Sequence, residues 1–114
     1  MVRLTSTFWV AAYVRRCHAA GAFAVVARRG SMEAGAIFIR IDKLDGRSDL
    51  YGPMPQVLVP ENDTRDRRFE PLITDADSVT VAERLEREMR FDPDLWIVDV
   101  EDRLGRTYFD DDDP

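Results

Sequence analysis

The chain has 114 residues, of which 45% are hydrophobic, and its formal net charge is −6. This length and composition suit one folded domain with a single core. No apolar run approaches the roughly 20 residues that a membrane-spanning helix needs, and we expect no signal peptide because residues 1–6 lack an apolar block. The single cysteine, Cys17, excludes an internal disulfide and predicts a reducing, cytoplasmic location.

The charges are distributed unevenly along the chain. Residues 1–30 carry five arginines and no acidic residue, whereas residues 92–114 carry two arginines and nine acidic residues. We expect the two ends to pair electrostatically, within the fold or across a dimer. The alternative is a basic face for an anionic partner, which the acidic tail would mimic or compete with. The isoelectric point of about 4.7 argues against nucleic acid as that partner.

The first predicted helix begins after Thr5-Ser6-Thr7 and ends at Gly21. Serine and threonine are favourable N-cap residues, and glycine favours the left-handed conformation in which many helices end. Apolar residues cover most of the circumference from residue 8 to residue 14. We therefore expect this helix to be buried along much of its length.

Three strands are predicted over residues 22–51 as an antiparallel meander. The first two, over residues 22–28 and 36–42, are rich in apolar residues, and Asp45-Gly46 is a strong hairpin signal before the third. The following segment is irregular. We predict a short strand over residues 56–59, a polar loop over 60–66, and a strand over 68–73 that Pro71 places at a sheet edge or bulge.

The second helix is predicted over residues 79–91, with Asp77 or Ser78 as its N-cap. One face carries an apolar stripe formed by Val81, Ala82, Leu85 and Met89. The opposite face carries opposite charges four residues apart, which is typical of a solvated helix surface. Because Pro93 cannot continue a helix and disfavours helical geometry at Asp92, the helix should end there.

The stretch that organises the predicted fold is residues 95–100. Trp96, Val98 and Val100 fall on one side of a strand, and Leu95 and Ile97 fall on the other. A strand with apolar residues on both sides is typical of the interior of a sheet. We expect the second helix to lie across the sheet that contains this strand.

Together these elements predict an α+β fold. It consists of an antiparallel sheet of about five strands with two helices packed on one face, as a two-layer sandwich. Residues 1–110 form the single predicted domain, with a last short strand over 107–109. Residues 111–114 are predicted to be an acidic, disordered tail because like charges repel one another.

No residue set in the sequence indicates a catalytic mechanism or a cofactor. His18 is the only histidine and no Gly-x-Ser-x-Gly motif is present, so a nucleophilic triad is not supported. The glycine-containing segment 30–35 leads into a strand, whereas a phosphate loop needs a helix there. Neighbouring helical residues point about 100° apart, which argues against zinc at Cys17 and His18. We interpret Cys17 as a core residue.

Acidic residues surround the predicted central strand, at Asp92, Asp94, Asp99, Glu101 and Asp102. Converging carboxylates would bind Mg²⁺, and this gives our alternative function, a magnesium-dependent hydrolase or nucleic-acid-processing enzyme. However, the spacing lacks the pattern of a calcium loop, and Asp92 and Asp94 have the simpler role of ending a helix. We therefore predict no metal site.

The candidate interaction surface consists of charged residues at the ends of the first helix, the first strand and the second helix. They are Arg15, Arg16, His18, Arg28, Arg29, Asp92 and Asp94. Because the first helix and strand run antiparallel, we expect two separate patches. The favoured function is a non-enzymatic module that binds a protein partner or itself, since the chain lacks an acid–base set and its many aromatic residues suit interface anchors. The sequence identifies no small-molecule ligand.

Five segments carry a resemblance to a known family. They are Phe8-Trp9-Val10, residues 20–30, Ala34-Gly35-Ala36, Leu50-Tyr51-Gly52-Pro53, and the block Arg90-Phe91-Asp92-Pro93-Asp94-Leu95-Trp96-Ile97-Val98-Asp99-Val100-Glu101-Asp102-Arg103. The sequence resembles a small group of alphaproteobacterial proteins catalogued as a domain of unknown function, number fourteen ninety-one. The resemblance covers nearly the whole chain and departs mainly between residues 54 and 77. It implies a small cytoplasmic α+β domain, and it implies no activity, cofactor or catalytic residue.

Overall fold

The computed structural model describes residues 4–62 and 66–109. Its elements are α1 (Ser6–Ala19), β1 (Phe23–Arg28), β2 (Ile37–Asp42), β3 (Arg47–Pro53), a 3₁₀ helix (Gln56–Leu58), β4 (Phe69–Asp77), α2 (Ser78–Phe91) and β5 (Trp96–Glu101). The predicted α+β class, with five strands and two helices, is confirmed. Within the described ranges, no helix combines the length and the apolar character needed to cross a bilayer.

Helix α1 begins and ends where the capping residues predict. The side-chain oxygen of Thr5 accepts a hydrogen bond from the backbone nitrogen of Phe8 at 3.2 Å, and Gly21 has a φ of 85°. Burial is limited to one side of the helix, because the sheet covers only that side and leaves Phe8 exposed. Buried residues nevertheless occur along the helix from Ser6 to Cys17, so the expected burial along much of its length is found, but on that side alone. The buried residues of α1 are Ser6, Val10, Tyr13 and Cys17.

The strand over residues 95–100 is interior, as predicted. The order in the sheet is β1-β5-β2-β3-β4, in which β5 is antiparallel to β1 and parallel to β2. The meander predicted over residues 22–51 was therefore wrong: β2 and β3 form the predicted hairpin, but β5 lies between β1 and β2. This arrangement gives the apolar strand β5 a partner on each side, which a simple meander would not.

The two helices lie on opposite faces of the sheet. One core cluster joins α1 to the face that carries Ile39 and Val98, and a second joins α2 to the face that carries Phe38 and Ile97. These residues alternate along the paired strands β2 and β5, so they point in opposite directions. The arrangement differs from the predicted two layers because β2 and β5 are apolar on both sides, and each side needs a helix to cover it.

The segment between residues 54 and 77 differs in part from its prediction. Residues 56–59, predicted as a short strand, contain a 3₁₀ helix instead. Strand β4 lies at a sheet edge and its pairing with β3 is irregular next to Pro71, as that proline predicts. Residues 107–109 form no strand. The tail predicted over 111–114 lies outside the described residues.

A close crossing of two backbone segments positions the start of β5. A Cβ atom at Gly30 or Gly35 would overlap the carbonyl oxygen of Asp94, so only glycine permits this approach. Ser31 lies between the two glycines and bonds in both directions. Its backbone nitrogen donates to the backbone carbonyl oxygen of Asp94 at 2.8 Å, and its carbonyl oxygen accepts from Nε1 of Trp96 at 2.7 Å. The loop between β1 and β2 is thereby fixed to the strand inserted between them.

Candidate functional site

Strand β1 forms an open edge of the sheet, since among the described residues it pairs only with β5. Phe23 and Val25 point to the same face as α2 and are 57% and 44% exposed, because α2 packs over β3 and β4 and leaves this part of the face uncovered. Proteins usually protect such edges with charged residues, proline or bulges. From Phe23 to Ala27 the strand carries no charge and no proline, and its bulge lies at the far end, between Val26 and Arg28.

The opposite edge of the sheet, β4, is protected. Pro71 lies within the strand, and the pairing with β3 shifts register twice. Asp75 also has a positive φ of 52°, which interrupts the regular extended backbone. Of the two edges, β1 is therefore the one suited to pair with a further strand.

His18 covers one backbone group of this open edge. Its Nε2 lies 2.9 Å from the carbonyl oxygen of Ala24. In an antiparallel strand, both backbone groups of a residue point to the same side, so the amide of Ala24 also points away from β5. The same orientation is expected two residues later, at Val26. The edge thus presents backbone donors and acceptors, of which one acceptor is bonded to His18.

A shallow groove adjoins β1 on the α2 face. Its volume is about 270 Å³, and Phe23, Val25 and Ser78 contribute to its lining. Beneath it, Arg40 donates two hydrogen bonds to the carboxylate of Asp99, at 2.8 and 3.0 Å. These two opposite charges neutralise each other, but Asp42 and Glu101 also line the groove, so it combines exposed apolar side chains with a net negative charge.

The predicted interaction residues fall into two groups at opposite ends of β1. In the first group, Nη2 of Arg28 donates to the carbonyl oxygen of Pro93 at 2.6 Å, which joins the strand to the turn before β5. In that turn, the side chain of Asp92 accepts a hydrogen bond from the backbone of Asp94 at 3.0 Å. The guanidinium of Arg29 lies 5.6 Å from the ring centroid of Trp96.

The second group lies at the end of α1. Arg15 is exposed, Nη1 of Arg16 donates to the carbonyl oxygen of Tyr108 at 3.0 Å, and His18 contacts Ala24. The six residues of β5 separate the two groups by roughly 17 Å. The structure therefore places two patches along the molecule, as the antiparallel helix and strand predict, and the open edge of β1 runs between them.

The acidic residues near β5 do not converge. Asp92 and Asp94 precede the strand, Glu101 ends it, and Asp99 is paired with Arg40. Across residues 4–62 and 66–109, no group of three or more His, Cys, Asp or Glu side chains is placed to hold a metal ion. Asp92 has a role in the turn before β5 and Asp99 has one in an ion pair.

Asp102 organises the segment that follows β5. Its carboxylate accepts hydrogen bonds from the Tyr108 hydroxyl at 2.6 Å and from the backbone nitrogens of Arg106 and Leu104 at 2.8 and 3.0 Å. Burial alone would raise the pKa of Asp102, but the hydrogen bonds from Arg106 and Tyr108 outweigh it and lower the pKa to about 2. Asp102 is therefore a structural carboxylate that returns Phe109 to the core.

Sequence reasoning missed a second concave site. A cavity of about 400 Å³ lies beside the 3₁₀ helix and the first residue of β4, Phe69. The composition of residues 60–66 indicated only a polar loop. The available signal was the apolar pair Val57 and Val59 directly before that polar stretch, since both line the cavity.

Comparison with known proteins identifies similar structures. The solution structure of protein Atu0922 from A. tumefaciens is 44% identical, with 95% of this chain and 93% of that chain covered and a TM-score of 0.79. A crystal structure of a DUF1491 family protein from Caulobacter crescentus is 32% identical, with 96% and 95% covered and a TM-score of 0.78. An NMR structure of a DUF1491 family protein from the same organism is also 32% identical, with 96% of each chain covered and a TM-score of 0.77.

No curated protein matches the sequence. The model of one family, described as "Protein of unknown function (DUF1491)", matches residues 4–110. This match spans nearly all of the chain and agrees with the structural similarities. The chain therefore belongs to the DUF1491 family.

Proposed function

We propose that the protein is a non-enzymatic interaction module that associates with a second copy of itself through β1, in the reducing cytoplasm that the buried Cys17 suits. The observation that supports this proposal is the open edge from Phe23 to Val26, with its exposed apolar side chains and outward backbone groups. Addition of a strand to such an edge is a recurrent mode of protein recognition, in which main-chain hydrogen bonds provide affinity.

A two-fold symmetric pair is centred on Val25. In this register Ala24 of one copy faces Val26 of the other, so the outward backbone groups exchange hydrogen bonds. Phe23 then lies opposite Ala27, on the face that α2 leaves uncovered. His18 releases the carbonyl oxygen of Ala24 as the second strand arrives. The two copies would form one continuous sheet of ten strands.

Charge complementarity favours a second copy as the occupant. Arg28 ends β1, while Glu101 pairs with Phe23 at the other end of the strand. Antiparallel pairing brings Arg28 of one copy within two strand spacings of Glu101 of the other, about 10 Å between backbones. These long side chains span that distance. Within the described residues neither of them is in an ion pair, and in the dimer Arg28 exchanges its hydrogen bond to the carbonyl oxygen of Pro93 for the carboxylate of Glu101 in the second copy.

The expected association is weak. One strand edge buries less than the ~1,200 Å² that separates small interfaces from standard ones, and association must offset the loss of rotational and translational freedom. We therefore expect a dissociation constant in the micromolar range or weaker. The dimer fraction should rise steeply with protein concentration.

The experiment is sedimentation equilibrium of the full chain across micromolar to millimolar concentrations. Val25→Lys places a charge on the edge and should leave a monomer with an unchanged fold, because Val25 is half-exposed. Leu58→Lys is the matched control, since Leu58 is also exposed but lies in the 3₁₀ helix between β3 and β4 and not on β1. It should dimerise like the unmodified protein.

A charge exchange provides the second arm of this experiment. Glu101→Arg should weaken the dimer at low salt, and the double variant Arg28→Glu with Glu101→Arg should restore it. A monomer at every concentration would overturn the proposal. A dimer that persists in Val25→Lys would also overturn it, because association would then use another surface.

A further inference from the structure

The cavity beside the 3₁₀ helix has the size of a small-molecule site. Its volume of about 400 Å³ lies within the range of roughly 300–1,000 Å³ that is typical of ligand pockets. It is lined by the end of β3, the 3₁₀ helix and the residues around the start of β4. It lies toward the opposite edge of the sheet from β1, so an inference about it does not depend on the proposed dimer.

One wall of the cavity is apolar and held rigidly. Phe69 stacks on Phe109 with ring centroids 4.8 Å apart and contacts Trp9 at 5.1 Å, so its ring is fixed by the core behind it. Ile37 is fully buried beside it, and Met54 and Val59 continue the apolar surface toward the opening. A preformed apolar wall of this kind fits a short aliphatic or aromatic group.

The other wall carries two positive and two negative side chains. They are Arg67, Arg68, Glu61 and Asp66. A purely anionic or purely cationic ligand would meet as many like charges as opposite ones there. A ligand that carries one charge of each sign can place each beside an opposite partner, so this wall is complementary to a zwitterion.

Two of these charged side chains are held in fixed positions. The Arg67 side chain is only 7% exposed, and its Nη2 donates to the carbonyl oxygen of Leu4 at 3.1 Å and to Oγ of Ser6 at 3.2 Å. The Asp66 side chain is 17% exposed, and its Oδ1 accepts from the backbone nitrogen of Leu4 at 3.0 Å. The charges therefore lie at defined places before any ligand binds.

Asp66 also has an acceptor available for a ligand. Within the described residues its buried Oδ2 accepts no hydrogen bond, although Nε of Arg67 lies 3.6 Å away and forms an ion pair with it. A buried carboxylate oxygen without a donor is costly. A donor supplied by a bound ligand would remove that cost.

We infer that this cavity binds a small zwitterion with an apolar side chain, of the chemical class of the apolar α-amino acids. The ammonium group donates to Oδ2 of Asp66. The carboxylate pairs with the guanidinium of Arg68, because a planar, charged guanidinium suits a carboxylate. The apolar side chain packs against Phe69.

The test is a heteronuclear NMR titration of the full chain with three probes of similar size. L-Leucine carries both charges, L-leucinamide lacks the carboxylate, and 4-methylpentanoate lacks the ammonium group. Leucine should shift the backbone resonances of lining residues such as Val57 and Phe69. Each analogue should bind at least about tenfold more weakly, because it loses a charge-assisted hydrogen bond.

A matched pair of variants locates the contact. Asp66→Asn should weaken leucine binding by at least about tenfold, whereas Asp45→Asn, in the β2–β3 hairpin, should bind leucine like the unmodified protein. Thermal unfolding of both variants checks that the fold is kept. The inference is overturned if millimolar leucine shifts no lining resonance. It is also overturned if either analogue binds as tightly as leucine does, because the cavity would then not recognise both charges.

Discussion

Replacing Asp102 with asparagine tests whether one buried carboxylate holds the segment after β5 in place. The substitution keeps the size of the side chain but removes the charge that accepts hydrogen bonds from Leu104, Arg106 and Tyr108. The folded-state pKa of Asp102 is about 2, against an ordinary value of 3.8. One pKa unit corresponds to about 1.4 kcal/mol, so the difference corresponds to about 2.5 kcal/mol.

Solvent screening reduces this figure, since the Arg106 side chain is 64% exposed. We therefore expect Asp102→Asn to lower the free energy of unfolding by about 1–2 kcal/mol near neutral pH. Because folding lowers the pKa, the stabilisation is present above the unfolded pKa and is lost as pH falls toward the folded pKa. About half of it should be gone at about pH 3.

Urea denaturation followed by tryptophan fluorescence, near neutral pH and at about pH 3, measures this loss. Glu86→Gln is the control, since Glu86 is exposed on α2 and its replacement should leave the stability nearly unchanged at both pH values. An equal destabilisation by Asp102→Asn at both pH values would refute the reasoning. The effect would then come from shape or from the backbone turn, and not from the charge of the carboxylate.

Two further predictions concern packing, and chemical denaturation checks both. Gly30→Ala should cost at least about 2 kcal/mol, because its Cβ would overlap the backbone before β5. Gly21→Ala has open space and only a strained φ, so it should cost about 1 kcal/mol, and equal losses would contradict the close crossing. Phe109→Ala should cost about 3–4 kcal/mol, because the ring is buried in the aromatic cluster. Phe91→Ala should cost less than about 0.5 kcal/mol, because Phe91 is 88% exposed, and similar losses in the two phenylalanine variants would contradict the observed core.

The sequence predicted those features that have a local physical cause. Asp77 caps α2 by accepting from the backbone of Val79, Pro93 follows its end, and Pro71 lies on an edge strand. Each of these effects acts within a few residues, so composition and spacing reveal it. The two-sided apolar pattern of residues 95–100 likewise predicted an interior strand correctly.

Pairing between distant segments could not be read from the same patterns. Strands β1 and β2 have similar apolar character, and no local feature of the sequence indicates that β5 lies between them. Apolar residues lie on both faces of β2 and β5, so each face of the sheet has to be covered. How many helices cover each face depends on the insertion of β5 between β1 and β2. The crossing of Gly30 with Asp94 is the contact that fixes the arrangement, and it joins residues far apart in sequence.

The sequence identified some residues of the candidate sites, but it did not predict how they are arranged in space. The charged residues Arg28 and Asp92 were both candidates, but only the fold brings the strand end and the turn together through Pro93. The open edge of β1 became visible only when its single partner was known. The cavity was missed because its two walls come from one polar segment and one partly buried ring, Phe69.

The place of β5 in the sheet has a consequence for synthesis. β5 leaves the ribosome after all the strands that it joins, so β1 and β2 emerge without the neighbour that lies between them. A nascent chain that has not yet reached Trp96 exposes two apolar strand edges, which is the condition under which chains aggregate. The sheet can therefore close only after translation has passed Glu101, and the long separation in sequence should make that closure slow.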